Sequence, residues 1–296
     1  MSFQRIGILS IGEMGFNWAR LLISHGAEVI TYDKQRSEVT RKRAINAGVR
    51  SVPSLPDLVL ESDLIVSLVV PSATKQVASD LATTLSDIDK EGLLFLDANA
   101  ISPMTVQELE KVLSPHAVRF IDGCIIGSSK KLAQNAAIYV SGPEAEQIKQ
   151  LEQLGFFSVR TLGPHIGQAS AFKILFAGLN KGLQGLMIEL LIGAKNMDLL
   201  DQLIECYDER FPGLTKKVGR NIAALPVHAG RRAEEMDELE RTFRHYGLKT
   251  DMAPATQNVL KTIATLNLGQ ATEDGTRQGT LLEALELFFD KGLLKK

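Results

Sequence analysis

Two groups of residues in this chain of 296 have types and spacing that could do chemistry. The first lies at the start. Ser10 stands near the end of the apolar run 5–11, Gly12 and Gly15 follow it, and Asp33 stands 21 residues after Gly12, closing the next apolar run at 28–32. If these runs are strands with a helix between them, the spacing suits a dinucleotide: glycines let the backbone approach a pyrophosphate at the helix N-terminus, and the acid reaches the ribose hydroxyls. The residues expected to line that turn are Ser10, Ile11, Gly12, Glu13, Met14 and Gly15. The match to G-x-G-x-x-G is incomplete, because Ser10 holds the first position, so a plain strand-to-helix turn of any α/β protein stays open as the other reading. Asp33 favours an unphosphorylated ribose, whereas Lys34 and Arg36 behind it suit a 2′-phosphate. NAD and NADP both remain.

The second group centres on Lys173, a lone lysine in the apolar stretch that opens GQASAFKILFAGLNKGLQG, residues 167–185. With no proline after Pro164, residues 163–195 predict one helix about 45 Å long at about 1.5 Å per residue. A lysine in an apolar cleft loses its proton more readily than one in water and can act as an acid or base; the ordinary alternative is a side chain snorkelling from a helix surface. Asn180, roughly 10 Å further along the same face, is the first uncharged polar group there. It is a candidate substrate contact, with a packing role as the alternative.

The elements that must position these groups follow from the pattern before and after that helix. Apolar runs at 28–32, 64–70 and 92–97 alternate with helical stretches at 37–47, 72–84 and 104–113, and further strands are expected at 50–52, 118–121, 137–141 and 157–162, with a helix at 144–154. Continuous apolar strands alternating with helices predict a doubly wound parallel sheet covered on both faces. Ligands on such sheets bind beyond the carboxyl ends of the strands, which directs attention to Val70, Pro71 and Asn99 as well as Gly12. From 199 onward the pattern is helical, at 199–207, 215–225, 231–246, 253–266 and 280–291, with breaks at Pro212, Pro226, Gly247 and Gly269. The expected division is a Rossmann domain at 1–163 and an all-α substrate and dimerisation domain at 164–296. The lysine then lies at the seam.

Composition excludes several classes. Lys plus Arg (33) nearly balances Asp plus Glu (35), so nothing calls for nucleic acid or an anionic membrane, and a small molecule is the expected partner. No signal-peptide pattern opens the chain and no uninterrupted apolar run reaches about 18 residues, which predicts a soluble, cytoplasmic protein. Cys124 and Cys206 are far apart, and the five histidines are scattered, so neither a disulfide frame nor a metal site is expected.

On four segments, GILSIGEMG (7–15, with Met14 before Gly15), DANAISP (97–103), IDGCIIG (121–127) and GQASAFK (167–173), the chain resembles the β-hydroxyacid dehydrogenase superfamily. That superfamily includes 3-hydroxyisobutyrate and 6-phosphogluconate dehydrogenases. The resemblance runs through the whole chain in order. It implies an N-terminal Rossmann domain and a helical C-terminal domain joined by one long helix, a nicotinamide cofactor, and Lys173 as the catalytic acid and base. The segment 228–248 is similar to a 6-phosphogluconate-dehydrogenase-like branch whose C-terminal domain has no known function.

Three departures bear on the substrate. The Ser-Gly-Gly that holds the substrate carboxylate in the hydroxyacid dehydrogenases corresponds here to Ile126, Gly127 and Ser128. The asparagine one turn after the lysine is Ala177, and Ala169 replaces a glycine before the lysine. Cys124, Ile126, Gly127, Ala177, Asn180 and Arg231 are therefore the candidate substrate residues. Arg231 and Arg232 are expected at a helix start, where the dipole disfavours cations, so an arginine there either joins a solvated, self-paired face or reaches an anionic substrate. His165, beside Pro164, is a further candidate for the cleft.

The reading that follows is an NAD(P)-dependent oxidoreductase acting on a hydroxyl-bearing, anionic metabolite, with decarboxylation open as a second step. An imine-reductase-like enzyme and a catalytically silent cofactor-binding regulatory or scaffold protein are the alternatives. A homodimer burying the apolar face 183–192 is expected.

Overall fold

The computed structural model describes residues 3–34, 36–88, 90–266, 268 and 279–294. The chain divides into two compact units, Met1–Lys173 and Ile174–Lys296. The expected break at Gly269 lies outside the described residues.

The first unit contains β1 (Arg5–Leu9), α1 (Glu13–Ser24), β2 (Glu28–Thr31), α2 (Glu38–Ala47), β3 (Arg50–Ser51), α3 (Leu55–Glu61), β4 (Leu64–Ser67), α4 (Thr74–Asp87), β5 (Leu94–Asp97), α5 (Pro103–Leu113), β6 (Arg119–Ile126), β7 (Ala137–Ser141) and β8 (Ser158–Gly163). The strands form one sheet in the order β3-β2-β1-β4-β5-β6-β7-β8. Successive residues of each strand point to opposite faces, and both faces are buried. Ile6, Ile8, Leu64, Val66, Leu94 and Leu96 pack with α1 and Trp18 on one side. Leu9, Ile65, Phe95 and Phe120 pack with Leu58, Leu81 and Leu109 of α3, α4 and α5 on the other. This double burial explains why these strands read as unbroken apolar runs.

The helices on that sheet begin at identifiable caps. Ser37, Ser54 and Ser102 each accept a backbone N–H three residues on, and prolines at positions 56 and 103 occupy the first turns of α3 and α5, where a missing N–H costs nothing. The strand order reverses at β1 and β4, so the crevice beyond their carboxyl ends is the place where such sheets hold ligands.

Several sequence expectations are corrected here. The sheet is not wholly parallel, because β7 runs antiparallel to β6. Only residues 127–136 join them, too few for the dozen or more that a crossover requires. The segment Ala145–Leu154 is a 3-10 helix. Strand β4 stops at Ser67 rather than Val70, and β6 continues to Ile126.

The long helix is α6 (Gln168–Asn196); β8 persists to Gly163, which delays its start. Among the described residues it is the one helix long and apolar enough, by length and composition, to cross a membrane, although no uninterrupted apolar run was expected to reach that length. A core helix of a soluble protein passes the same test.

The second unit holds most of α6 with α7 (Leu200–Arg210), α8 (Leu214–Ala223), α9 (Leu225–His245), α10 (Met252–Thr265) and α11 (Leu281–Asp290). Its core gathers Met187, Ile188, Leu191 and Ile192 with Ile222, Leu260 and Phe288. Most of the apolar face expected at a dimer interface is thus consumed inside this unit, with Leu183 packed against the same core, and Leu186 and Leu190 are the exposed remainder. Helix α9 starts at Leu225 with Pro226 in its first turn. Proline opens this helix instead of breaking one, so Arg231 and Arg232 lie in its interior and not at its start.

Candidate active site

The site is built at the carboxyl ends of β1, β2, β4, β5 and β6. After β1 the chain turns at Ser10, whose φ is +78°. That left-handed conformation is one glycine adopts freely and serine does not, and it explains what the first glycine of the dinucleotide pattern is for. Gly15 meets the second requirement, since a Cβ there would overlap the carbonyl oxygen of Ser10. Gly12 meets the third. Nothing lies within 4 Å of where its Cβ would be, and it gives α1 no side-chain cap. No side chain therefore caps the start of α1, and the space over Gly12 is clear, as pyrophosphate binding needs.

Ile11 is fully buried and Met14 packs on the core, so both contribute backbone rather than side chain. The carboxylate of Glu13 accepts from Ser129 Oγ at 2.8 Å.

At the end of β2, Asp33 Oδ1 accepts from Ser51 Oγ at 2.5 Å, and its carbonyl closes a turn with Arg36 N at 2.9 Å. Lys34, within that turn, is exposed to solvent. Val70 is exposed, and Pro71 opens a short 3-10 turn after β4.

Asn99 is buried, and its three polar atoms are treated unequally. Its N–H donates to Asp97 Oδ1 at 3.1 Å, and Nδ2 donates to Ser67 Oγ at 2.9 Å and Asp97 Oδ2 at 2.7 Å. Its Oδ1 has no partner among the described residues. A buried carbonyl oxygen without a donor is costly, and an amide N–H of a ligand at the β4 and β5 tips would satisfy it.

Behind these tips runs a feature that sequence reasoning missed. Ser67, Asp97, Asp122 and Ser141 are paired in register across β4, β5, β6 and β7, all buried. Burial raises the Asp97 carboxyl to about 7, against the hydrogen bonds from Asn99, and the neighbouring Asp122 adds to the rise. Asp122 is also pushed up by burial. Donors from Ser170, Ser141 and Gly167 pull it back. The signal was present: 94–97 (LFLD) and 137–141 (AIYVS) each end an apolar run on a polar residue, and Ser67 is the polar residue inside the run 64–70.

Asp122 fastens α6 to the sheet. It accepts from Ser170 Oγ (2.6 Å), Ser170 N (3.0 Å), Gly167 N (3.0 Å) and Ser141 Oγ (3.1 Å). One turn further along α6, Lys173 Nζ donates to the carbonyl oxygen of Ile125, three residues beyond Asp122 on β6. The lysine is half-buried, with its ammonium at the end of β6.

Cys124 is buried between them. Burial drives its thiol up to about 12, with the Lys173 charge opposing and Asp122 assisting. Ile126 is half-buried. Gly127 has φ +135°, and a Cβ on it would lie 2.6 Å from Ala136 Cα, so this turn admits no side chain. Ser128 caps the following turn through Lys130 N at 3.3 Å. His165 is exposed, with its N–H on Gln168 Oε1.

In the second unit Ala177 is half-buried, and Asn180 Oδ1 accepts from Asn221 Nδ2 at 3.1 Å. Arg231 is exposed and paired with Glu235 at 2.7 Å. Its neighbour Arg232 is the buried one. A shallow concavity lined by Asp201, Glu205, Asp208, Glu209 and Leu281 holds none of these groups. Among the described residues no three of His, Cys, Asp and Glu gather as metal ligands.

The profile of the family described as NAD binding domain of 6-phosphogluconate dehydrogenase matches residues 5–155. A domain of unknown function, DUF1932, matches residues 194–263. An uncharacterized 28.5 kDa protein of Methanothermus fervidus is 30% identical over 264 residues, which cover 88% of this chain and 99% of that one. Mitochondrial 3-hydroxyisobutyrate dehydrogenase of Bos taurus is 28% identical over 151 residues, 51% of this chain. The chain spans 44% of that enzyme's length.

Among solved structures, MTH1747, a conserved protein of unknown function with structural similarity to 3-hydroxyacid dehydrogenases, is 25% identical with a TM-score of 0.74, covering 90% of this chain and 100% of that one. The 3-hydroxyisobutyrate dehydrogenase of Mycobacterium tuberculosis, solved with L-serine, shares the fold at a TM-score of 0.76 and 16% identity, covering 97% and 99% of the two chains.

Proposed function

The chain belongs to the family of the 6-phosphogluconate dehydrogenase NAD binding domain, and from that premise we propose that it is an NAD(P)-dependent oxidoreductase of the β-hydroxyacid dehydrogenase type. Its substrate is a hydroxyl-bearing, anionic metabolite, and Lys173 is the general acid and base. The observation that carries this reading is the placement of Lys173. The ammonium is held on the Ile125 carbonyl at the end of β6 by a helix start that Asp122 ties to the same strand.

The residues present suit the cofactor. The open N-terminus of α1 at Gly12 would take the pyrophosphate, Asp33 and Lys34 the adenosine ribose, and the unpartnered Oδ1 of Asn99 an amide of the nicotinamide end. NAD(P) supplies the hydride transfer itself. The chain supplies the proton: Lys173 takes it from the substrate hydroxyl in oxidation and returns it in reduction. The carbonyl of Ile125 accepts from the ammonium and fixes where that proton is delivered.

Gly127 keeps the turn after β6 free of side chain, and Ile126 gives it an apolar edge where a hydroxyacid dehydrogenase would place a serine. The reading includes a cytoplasmic setting, in keeping with two free thiols, and a homodimer through the exposed leucines 175, 179, 186 and 190 of α6.

Cofactor titration by nucleotide fluorescence, followed by a screen of hydroxyacids with Lys173→Ala as control, tests the proposal. The expected result is binding of one nucleotide form by both proteins and turnover by the wild type alone. Binding without turnover of any hydroxyacid or imine would favour a silent cofactor-binding protein, and equal turnover by Lys173→Ala would remove the lysine from the chemistry.

A further inference from the structure

Arg232 lies on the inward stripe of α9, at the spacing of Leu225, Ala229, Met236 and Leu239, where an apolar residue would ordinarily sit. It is 9% exposed, and no carboxylate among the described residues bonds to it. Removing a guanidinium from water without a counter-ion is unfavourable, so the compensation is informative. Two acceptors serve the group, Gln184 Oε1 at 2.6 Å and the Asn221 carbonyl at 2.8 Å, and both take their hydrogen bond from the same nitrogen, Nη1.

Gln184 is itself fixed by donating Nε2 to the Asn180 carbonyl at 2.9 Å, and Asn221 Nδ2 is held on Asn180 Oδ1 at 3.1 Å. Side chains from α6, α8 and α9 thereby lock one nitrogen of the arginine. The Nε and Nη2 edge, the side-on fork that matches two oxygens of a carboxylate or phosphate, has no acceptor among the described residues.

The charge around this edge is also unbalanced. Glu235 is the acid of the neighbourhood, and it already bonds to Lys181 and to Arg231. Burial lowers the pKa of His228, one turn before Arg232, and the charges of both arginines lower it further. Burial and the Arg231 charge bring Arg232 itself down to about 10, with Glu235 opposing. The Asn221 carbonyl lies near the C-terminus of α8 and contributes only a partial negative charge.

We propose that the Nε and Nη2 edge of Arg232, held in place by Gln184 and Asn221, is a binding site for the oxyanion of a small metabolite. The ligand chemistry is a carboxylate or phosphate group accepting two parallel N–H bonds. The site is contained in the helical unit and does not depend on the redox reading.

The test is made on the full chain with inorganic phosphate and acetate as separate probes, at constant ionic strength set by chloride. The arginine Nε–H resonances are followed by NMR, with that of Arg232 identified by its loss in Arg232→Lys. A saturable shift of that resonance with phosphate alone marks a phosphate ligand and with acetate alone a carboxylate; either result supports the site. Arg232→Met, which keeps the aliphatic stem, should weaken binding roughly tenfold or more, as expected for losing a charge-assisted pair of hydrogen bonds, and Arg232→Lys should recover only part.

No saturable shift with either probe, or unchanged affinity in folded Arg232→Met, would overturn the proposal. So would wild-type affinity in Arg232→Lys, which would assign binding to the positive field and not to the fork. If Arg232→Met does not fold, the wild-type titration and the lysine variant decide. Nucleotide binding to the first unit is measured separately, so failure here leaves the oxidoreductase reading untouched.

Discussion

Ser170 Oγ donates to Asp122 Oδ1 across 2.6 Å, joining the first turn of α6 to the middle of β6. The carboxylate accepts four hydrogen bonds in all, so its loss leaves several buried donors unserved. Asp122→Ala should lower stability by about 3 kcal/mol or more, and Ser170→Ala by about 1 to 2 kcal/mol. Urea unfolding measures both, and an Asp122→Ala change under about 1 kcal/mol would contradict the anchoring role.

The turn after β1 separates folding from binding. Ser10→Gly should stabilise the protein by about 1 kcal/mol, because it relieves the left-handed serine. Gly15→Ala should destabilise it, since the new Cβ meets the Ser10 carbonyl. Gly12→Val, facing open space, should leave thermal unfolding of the cofactor-free protein within about 1 kcal/mol of wild type while abolishing nucleotide binding. Equal loss of stability at positions 12 and 15 would refute the distinction.

Asp97 gives a pH dependence of definite sign. Its folded-state pKa, about 7, lies above the ordinary value of 3.8, so the folded protein binds more protons than the unfolded chain between those values. Its contribution to stability is fully present below about pH 4 and is lost as pH rises through 7, at up to about 1.4 kcal/mol per unit. Asp97→Asn should remove that part of the slope, and denaturant melts from pH 4 to 7 for both proteins would show it. Parallel curves would place the titration elsewhere.

The two thiols should differ in reactivity. Cys206 is exposed, whereas Cys124 is buried with its thiol pushed up to about 12. A thiol reagent at neutral pH should therefore label Cys206 in the native protein and reach Cys124 only on unfolding. Native labelling at position 124 would mean that the end of β6 opens.

The exposed leucines of α6 can be tested as a surface. Leu179 is 67% exposed, so Leu179→Lys should cost the fold little. If α6 pairs with a second copy, light scattering should show the wild type as a dimer and Leu179→Lys as a monomer. A monomeric wild type would end the dimer reading.

Much of the first unit was legible because double burial writes itself into composition: the runs at 64–67 and 94–97 are apolar on both faces and stand out. The direction of β7 was not legible. Residues 137–141 look the same whichever way they run, and the short connection from Ile126 decides it. Arg232 was hidden for a related reason. Placing Pro226 outside a helix made 231 and 232 a helix start, whereas proline at the first turn of α9 moves both arginines into its interior and turns one of them inward. Lys173 was found by type and context, but its acceptor, a backbone carbonyl on β6, leaves no mark in the sequence.

The in-register row Ser67, Asp97, Asp122 and Ser141 constrains how this unit could be recombined with a relative. Each member meets a polar neighbour on the adjacent strand, and two of them also hold the start of α6. A chimera cut between β4 and β7 would set a foreign residue against half of a buried polar pair. Strands β4 to β7 and the first turn of α6 should therefore be transferable only as one block, and crossovers between β1 and β4 or within α7 to α11 would leave that block whole.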